Sequence, residues 1–296
     1  MARLQVLLAA LCFGTTGTAQ ALGPDGIDPA AVGAARIACG GALLVVFALL
    51  VRRGRGSGSA WAGGAVLVGA AAVAAYQASF FAAVDDTGVA VGTIVALGSA
   101  PAITGALEWH LHGRRPPGRW AAATALACAG VALLALTGGY EAGISPLGVG
   151  LAVIAGGSYA AYTLASKRLL DDGHAPESVM AALFGLGAVA LAPVLFVAER
   201  GPLTSASGLA LVLFLGVVPT AVAYVLFARG LRGLQASQAA TITLLEPVTA
   251  AALGVFVLGE RVPGAGLVGA ALVLSALLLL AMRPARRAPA LVPEPA

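Results

Sequence analysis

The chain alternates long uncharged stretches with short polar turns. Ten such stretches can be marked, near residues 4–22, 31–51, 62–82, 88–107, 119–138, 146–165, 177–198, 207–227, 236–258 and 264–282. Most hold about 20 residues, and at about 1.5 Å per residue each reaches across a hydrocarbon core of roughly 30 Å. The pattern therefore predicts an all-α integral membrane protein with ten transmembrane helices. Composition agrees: 59% of residues are apolar and 10% charged, against about 25% charged in a soluble domain. The tails and loops are too short for a soluble domain, and the 40 glycines suit helices that pack closely in lipid.

The polar turns carry the orientation. Arg52, Arg53 and Arg55 follow the second span, and Arg114, Arg115 and Arg119 the fourth. Lys167 and Arg168 follow the sixth, Arg229 and Arg232 the eighth, and Arg283, Arg286 and Arg287 the tenth. With Arg3, this side holds 14 of the 17 basic residues. The other side holds Arg200 and Arg261, together with Asp25, Asp28, Asp85, Asp86, Glu141, Glu199 and Glu260. The positive-inside rule then predicts a multi-pass protein of the plasma (inner) membrane with both termini cytoplasmic. The net charge of +4 is accounted for by these loops, so no nucleic-acid partner is expected. Arg3, a short apolar run and Ala19-Gln20-Ala21 also suit a cleaved signal peptide, which would leave nine spans.

An internal repeat organises the spans. Pro101 stands thirteen residues before Arg114 in the turn Gly113-Arg114-Arg115-Pro116-Pro117-Gly118, and Pro247 stands thirteen before Glu260 in the turn Gly259-Glu260-Arg261-Val262-Pro263-Gly264. Ten spans divide into five and five, and an odd number per half makes the halves face opposite ways across the bilayer. The expected organisation is a first repeat over 1–140, a second, inverted repeat over 141–283, and a disordered cytoplasmic tail over 284–296, with a central cavity between the repeats. Inverted repeats are a design of secondary transporters, with the substrate near the midplane between the halves. Two similar halves in opposite orientation make two conformations of similar energy, one open to each side, which a ligand can exchange with a modest bias.

Glu246 is the most informative single residue. It lies about eleven residues into a span of some 23, where an ionisable group is a functional-site hypothesis by default. On one helical stripe it would accompany Ala239, Thr243 and Ala250, small neighbours that leave room for water or substrate. The functional reading is that Glu246 binds a cationic or amino group or carries a proton; the competing one is an interior acid satisfied by Tyr, Thr or Arg36. Pro247 lacks an N–H, so the Thr243 carbonyl loses its helical partner, and Pro101 and Pro219 do the same for Leu97 and Leu215. These prolines read equally as packing kinks and as ligand-facing or hinge positions. Arg36 lies inside the second span near its outer end, where it snorkels outward or pairs with Asp85 or Asp86, in a gating or structural role.

Other spans add polar groups at consistent depth: Thr16 and Gln20, Tyr76 and Gln77, Ser158, Tyr159 and Tyr162, and Thr220 with Tyr224. With Glu246, Thr243 and Ser99 these form the candidate substrate-binding set, an aromatic lining with a few hydrogen-bonding groups and one acid. Read singly, each is more simply a piece of ordinary helix–helix packing. No catalytic residue, metal site or cofactor is expected. Cys12, Cys39 and Cys128 fall in apolar runs, His110, His112 and His174 fall in cytoplasmic loops, and no phosphate-binding glycine loop is present. Asp85-Asp86 and Asp171-Asp172 read as solvated loop charge.

Residues Ala240–Leu280, with Leu245-Glu246-Pro247, the Gly259-Glu260-Arg261 turn and the glycine-rich last span, resemble the closing module of EamA-type exporters of the drug/metabolite transporter superfamily. Gly98-Ser99-Ala100-Pro101 through Leu134 carries the same module in the first half. Tyr76-Gln77-Ala78-Ser79-Phe80-Phe81 and Tyr224-Val225-Leu226-Phe227 are similar to the family's third and eighth spans, and Arg36 matches a basic residue of its second. Arg114 stands where the family usually has Glu, and Ala100 lacks the acid found at Glu246. The resemblance implies ten helices around a cavity and the movement of small metabolites, amino acids or drugs, most often outward. Amino acids come first, since they offer an amino group to Glu246 and a side chain to the aromatic lining; a monomer or homodimer is expected, with protons as the candidate coupling ion. The rival class is a membrane-embedded enzyme acting on a lipid or isoprenoid.

Overall fold

The computed structural model describes residues 1–52, 61–113, 115–136, 145–198, 201–259 and 264–282. Arg53, Arg55, Arg114, Glu141, Glu199, Arg200, the Glu260-Arg261 turn and the tail 284–296 lie outside the described residues. Within them the chain is helical: α1 Ala2–Ala21, α2 Pro29–Arg52, α3 Gly63–Gly88, α4 Val91–Leu111, α5 Gly118–Leu136, α6 Pro146–Asp171, α7 Pro176–Val197, α8 Ala206–Leu231, α9 Ala236–Leu258 and α10 Gly264–Ala281. Among the described residues, nine of these are long and apolar enough to cross a membrane, and α5 adds a shorter apolar stretch over Gly118–Leu133. The fold is the expected all-α, ten-helix membrane architecture, although α3 and α6 each run six residues further than the hydropathy pattern marks.

Lipid accounts for the side-chain pattern. On α1, Leu4, Leu8 and Leu11 are exposed at helical spacing, whereas Val6, Ala9, Ala10 and Phe13 are buried. The outward stripe is the apolar surface a bilayer requires, and the inward one meets α8 and α9. Residues 2–21, also readable from sequence as a cleaved leader, thus form a packed helix of the bundle.

The helix neighbours follow the repeat. α1 packs against α8 and α9, while α6, its counterpart five helices later, packs against α3 and α4; α2 pairs with α7, and α5 with α10. Exchanging the halves reproduces this set of neighbours. Because each half contributes five helices, its two copies run in opposite senses through the bilayer.

Three interruptions shape the interior. α3 and α4 form a continuous helical stretch broken at Gly88, whose φ of 80° and ψ of 159° suit glycine alone. The break folds the chain back so that Gly92 lies against Val84. In α8, Val217–Val222 widen into a π-turn around Pro219. The Leu215 carbonyl, deprived of the Pro219 N–H, accepts the Thr220 hydroxyl at 2.8 Å instead, as expected where a neighbouring side chain satisfies the group that proline frees. In α9, helix Ala236–Ile242 stops at Thr243 and Leu244 and resumes at Leu245.

That last break corrects two sequence expectations. Ala239 and Glu246 do not share one uninterrupted helical stripe. The Thr243 carbonyl is not left for a ligand either: the Glu246 N–H closes onto it at 2.9 Å, making the tight turn that precedes Pro247.

Candidate functional site

The interior is built around tyrosines carried by helices of both halves. Tyr76 on α3, Tyr159 and Tyr162 on α6, and Tyr224 on α8 meet Phe13 from α1 and Phe184 from α7. Tyr162 meets Tyr159 edge-on at 5.0 Å and Tyr224 at 6.1 Å, Phe184 lies 4.0 Å from Tyr224, and Tyr76 reaches Tyr159 at 6.2 Å, all measured between ring centroids. Tilted and edge-on pairs place positive ring edges on negative faces, which makes this a stiff wall. The Tyr162 hydroxyl is buried without a hydrogen-bond partner among the described residues.

Polar groups stand at the edge of this wall. The Tyr159 hydroxyl lies 3.0 Å from the Thr243 hydroxyl, tying α6 to the break in α9. Arg36 on α2 donates from Nη2 to Gln77 Oε1 at 2.9 Å, and Gln77 Nε2 donates back to the Gly33 carbonyl at 3.2 Å. Arg36 thus turns to Gln77 and not to Asp85 or Asp86, and its Nε is buried without a partner among the described residues. Glu246 is half-buried. Its carboxylate forms no ion pair with Arg36: the ion pairs among the described residues are Lys167–Asp171 and Arg168–Asp172. Arg36 and Glu246 thus stay unjoined, one held by Gln77 next to Tyr76 and the other just past the α9 break that Tyr159 reaches through Thr243. α1 approaches closely here because Gly14 has no side chain: a Cβ would meet the Glu246 carbonyl oxygen at 2.8 Å.

A cavity of about 550 Å³ leads toward this region from the end of the bundle bearing the α1–α2 and α3–α4 turns. Asp28 and Asp85 stand at its rim and Gln77, Ala34, Phe81 and Leu191 line it. Gln77 also lines the narrow space between Tyr76, Tyr162, Phe184 and Tyr224, so it forms the floor of one and the roof of the other.

The remaining sequence candidates are scattered. Thr16, Gln20 and Ser158 are half-buried and make no side-chain hydrogen bond among the described residues. Ser99 donates to the Ala96 carbonyl at 3.2 Å and sits against Gly156, within the α4–α6 contact. Pro101 lies in α4 beside Thr104, whose hydroxyl bonds the Ala100 carbonyl at 2.6 Å.

Three groups are more buried than their sequence position suggests. His174 does lie in the loop between α6 and α7, but it is buried there and stacks on Trp61 at 4.2 Å. Glu246 is not the sole interior acid, since Glu177 and Glu108 are 5% and 4% exposed. Glu108 accepts from the backbone N–H groups of Ala236 and Ser237, each at 3.1 Å, and from the Ser237 hydroxyl at 2.6 Å. An acid at a span boundary reads as a solvated turn residue, and nothing local to Glu108 signals that α9 will begin on top of it.

Comparison with known proteins agrees with the ten-helix architecture. A solved protein structure superposes with a TM-score of 0.81 over 95% of this chain and 98% of its own at 22% identity, which shows a shared fold. An uncharacterized transporter of Bacillus subtilis, YwfM, is 42% identical over 257 residues, 87% of this chain and 86% of the relative. An uncharacterized transporter of Archaeoglobus fulgidus is 33% identical over 184 residues, covering 62% of this chain and 63% of its own. The EamA-like transporter family matches twice, over residues 1–136 and 146–282. With both copies of that domain in place and their helices paired across the bundle, the chain is a multi-pass membrane protein that belongs to the EamA-like transporter family.

Proposed function

We propose that this protein is a secondary-active transporter that moves small polar or amphipathic metabolites, amino acids foremost, outward by alternating access. The two repeats, 1–140 and 141–283, act as the moving units, and both termini lie on the cytoplasmic side of the plasma membrane. The observation that supports this reading is the tyrosine wall shared by the two halves, with Arg36 held by Gln77 at one edge and the α9 break before Glu246 tied to Tyr159 at another, the two ionisable residues unjoined. An amino group suits Glu246, and an apolar or aromatic side chain suits the faces of Tyr76, Tyr159 and Tyr224. The carboxylate is also the group available to carry a coupling proton. Binding at a seam between two similar halves lets a ligand bias the exchange between states through its differential contacts.

Counterflow of labelled amino acids in proteoliposomes tests the reading. Exchange of unaltered solute supports it, whereas chemical conversion of a lipid would replace it with an enzyme. Glu246→Gln should abolish or uncouple exchange while leaving thermal stability close to that of the parent. Full coupled exchange in that variant would remove the carboxylate from the mechanism.

A further inference from the structure

We propose that Glu108 is a one-sided latch: it holds the bundle closed at the end carrying the termini and must release α9 before the chamber opens there. The proposal rests on the alternating-access reading above and adds to it the contact that has to break.

Which end is latched follows from the hydrogen bonds. Arg3 Nη1 reaches the Ala281 carbonyl at 2.9 Å and Arg119 reaches the Met282 carbonyl, so the starts of α1 and α5 and the finish of α10 gather at one end. Glu108, near the end of α4, lies in the same layer and caps the first turn of α9 through three donors. A second layer reinforces the contact from α5: Trp120 Nε1 donates to the Ser237 carbonyl at 3.1 Å, and the hydroxyls of Thr124 and Thr241 lie 2.9 Å apart. α4 and α5 of the first half thereby grip α9 of the second.

The grip covers part of α9. Ala236, Ser237, Ala239, Ala240, Thr241 and Ile242 are buried, whereas from Leu245 to Leu258 Gly254 is the residue that is. The roomy cavity lies at the opposite end, with Asp28 and Asp85 at its rim. The start of α9 is clamped against α4 and α5, whereas the stretch beyond the break at Thr243 and Leu244 is more exposed and packs mainly on α1.

The repeat explains why the clamp has no twin. The shift that carries Pro101 onto Pro247 and Ala100 onto Glu246 also carries Glu108 onto Gly254 and Ala236 onto Ala90. Position 254 has no side chain, so the second half has no carboxylate there to cap the corresponding start of α4. Two otherwise similar ends thus differ by one charge-assisted contact, which biases the resting state toward closure at the termini end. The contact remains releasable, because water replaces all three donors and hydrates the freed amides once that end opens.

The test uses full-length protein with Cys12, Cys39 and Cys128 replaced, carrying either A240C, in the gripped segment, or A82C, beside the cavity. A membrane-impermeant maleimide is applied to each face of reconstituted liposomes. Glu108→Gln and Glu108→Ala should speed labelling at 240 from the termini face by roughly fivefold or more, the scale of a typical coupling between states, and should slow labelling at 82 from the other face. Ser237→Ala, which removes one hydroxyl and leaves the carboxylate, should act in the same sense more weakly and decides the matter if the Glu108 variants do not fold. Parent rates at both positions in folded variants overturn the latch, as does faster labelling at both, which would mean general loosening. Lack of solute exchange by the parent protein would instead count against the alternating-access reading, whatever the labelling shows.

Discussion

Arg36 and Gln77 are joined 2.9 Å apart across the α2–α3 contact, with Gln77 returning a bond to Gly33. Gln77 lines the cavity, so the guanidinium is held to a cavity-lining side chain with no acid paired to it among the described residues. Gln77 positions the guanidinium by accepting one of its protons and leaves its Nε unengaged.

Replacing Gln77 with Leu should therefore release Arg36. Hydrogen bonds to charged groups are worth about 1.5–3 kcal/mol, so an increase in KM of roughly tenfold or more is expected in counterflow. Gln77→Glu keeps an acceptor on Arg36 and should retain more affinity than the Leu variant.

Thr220→Val tests the π-turn of α8. The Thr220 hydroxyl is the group that satisfies the Leu215 carbonyl left without a partner by Pro219. Removing it strands a buried acceptor, at a cost of about 1–3 kcal/mol. A lowered thermal midpoint in detergent is the expected result, and the double variant with Pro219→Ala, which restores an N–H, should recover part of the loss.

Gly130→Val should weaken the pairing of α5 with α10. A Cβ at Gly130 would lie 2.5 Å from the Gly269 carbonyl oxygen and 2.8 Å from a Val273 methyl, so the two backbones must separate. Overpacking of this kind costs about 1–3 kcal/mol, and the contact depends on small residues as membrane helix pairs often do. Thermal unfolding of the purified protein reads the change directly.

Tyr159→Phe and Thr243→Val form a double-mutant cycle across the break in α9, where the two hydroxyls are 3.0 Å apart. Interhelical hydrogen bonds in membranes average about 0.6 kcal/mol, so the coupling in stability should be small. If the bond sets the position of Glu246, counterflow rates should fall further than stability does, and by similar factors in both single variants.

The ten spans, the five-plus-five division and the acid inside α9 are legible in the chain because each is a one-dimensional property. Lipid demands about 20 consecutive apolar residues from a crossing helix, so a run such as Gly264–Ala281 announces itself. A proline announces a freed carbonyl in the same way, and Leu215 is found re-satisfied by Thr220. What the run does not record is which face of a span meets lipid. Ser99 and Thr16 look alike as polar residues at depth, yet Ser99 sits in the Gly156 contact.

By itself the sequence determined the class of molecule, the helix count and the twofold organisation of the chain, since hydrophobic length and the spacing of repeated turns survive without any knowledge of neighbours. Tertiary structure alone decided that Arg36 binds Gln77, that α9 breaks at Thr243, and that Glu108, an acid at the edge of a span, lies buried under the start of a helix 128 residues away in the chain. The reason is physical: a polar group inside a bilayer is governed by the donors and acceptors it meets, and those are supplied by helices distant in sequence, whose approach depends on the packing of every helix between.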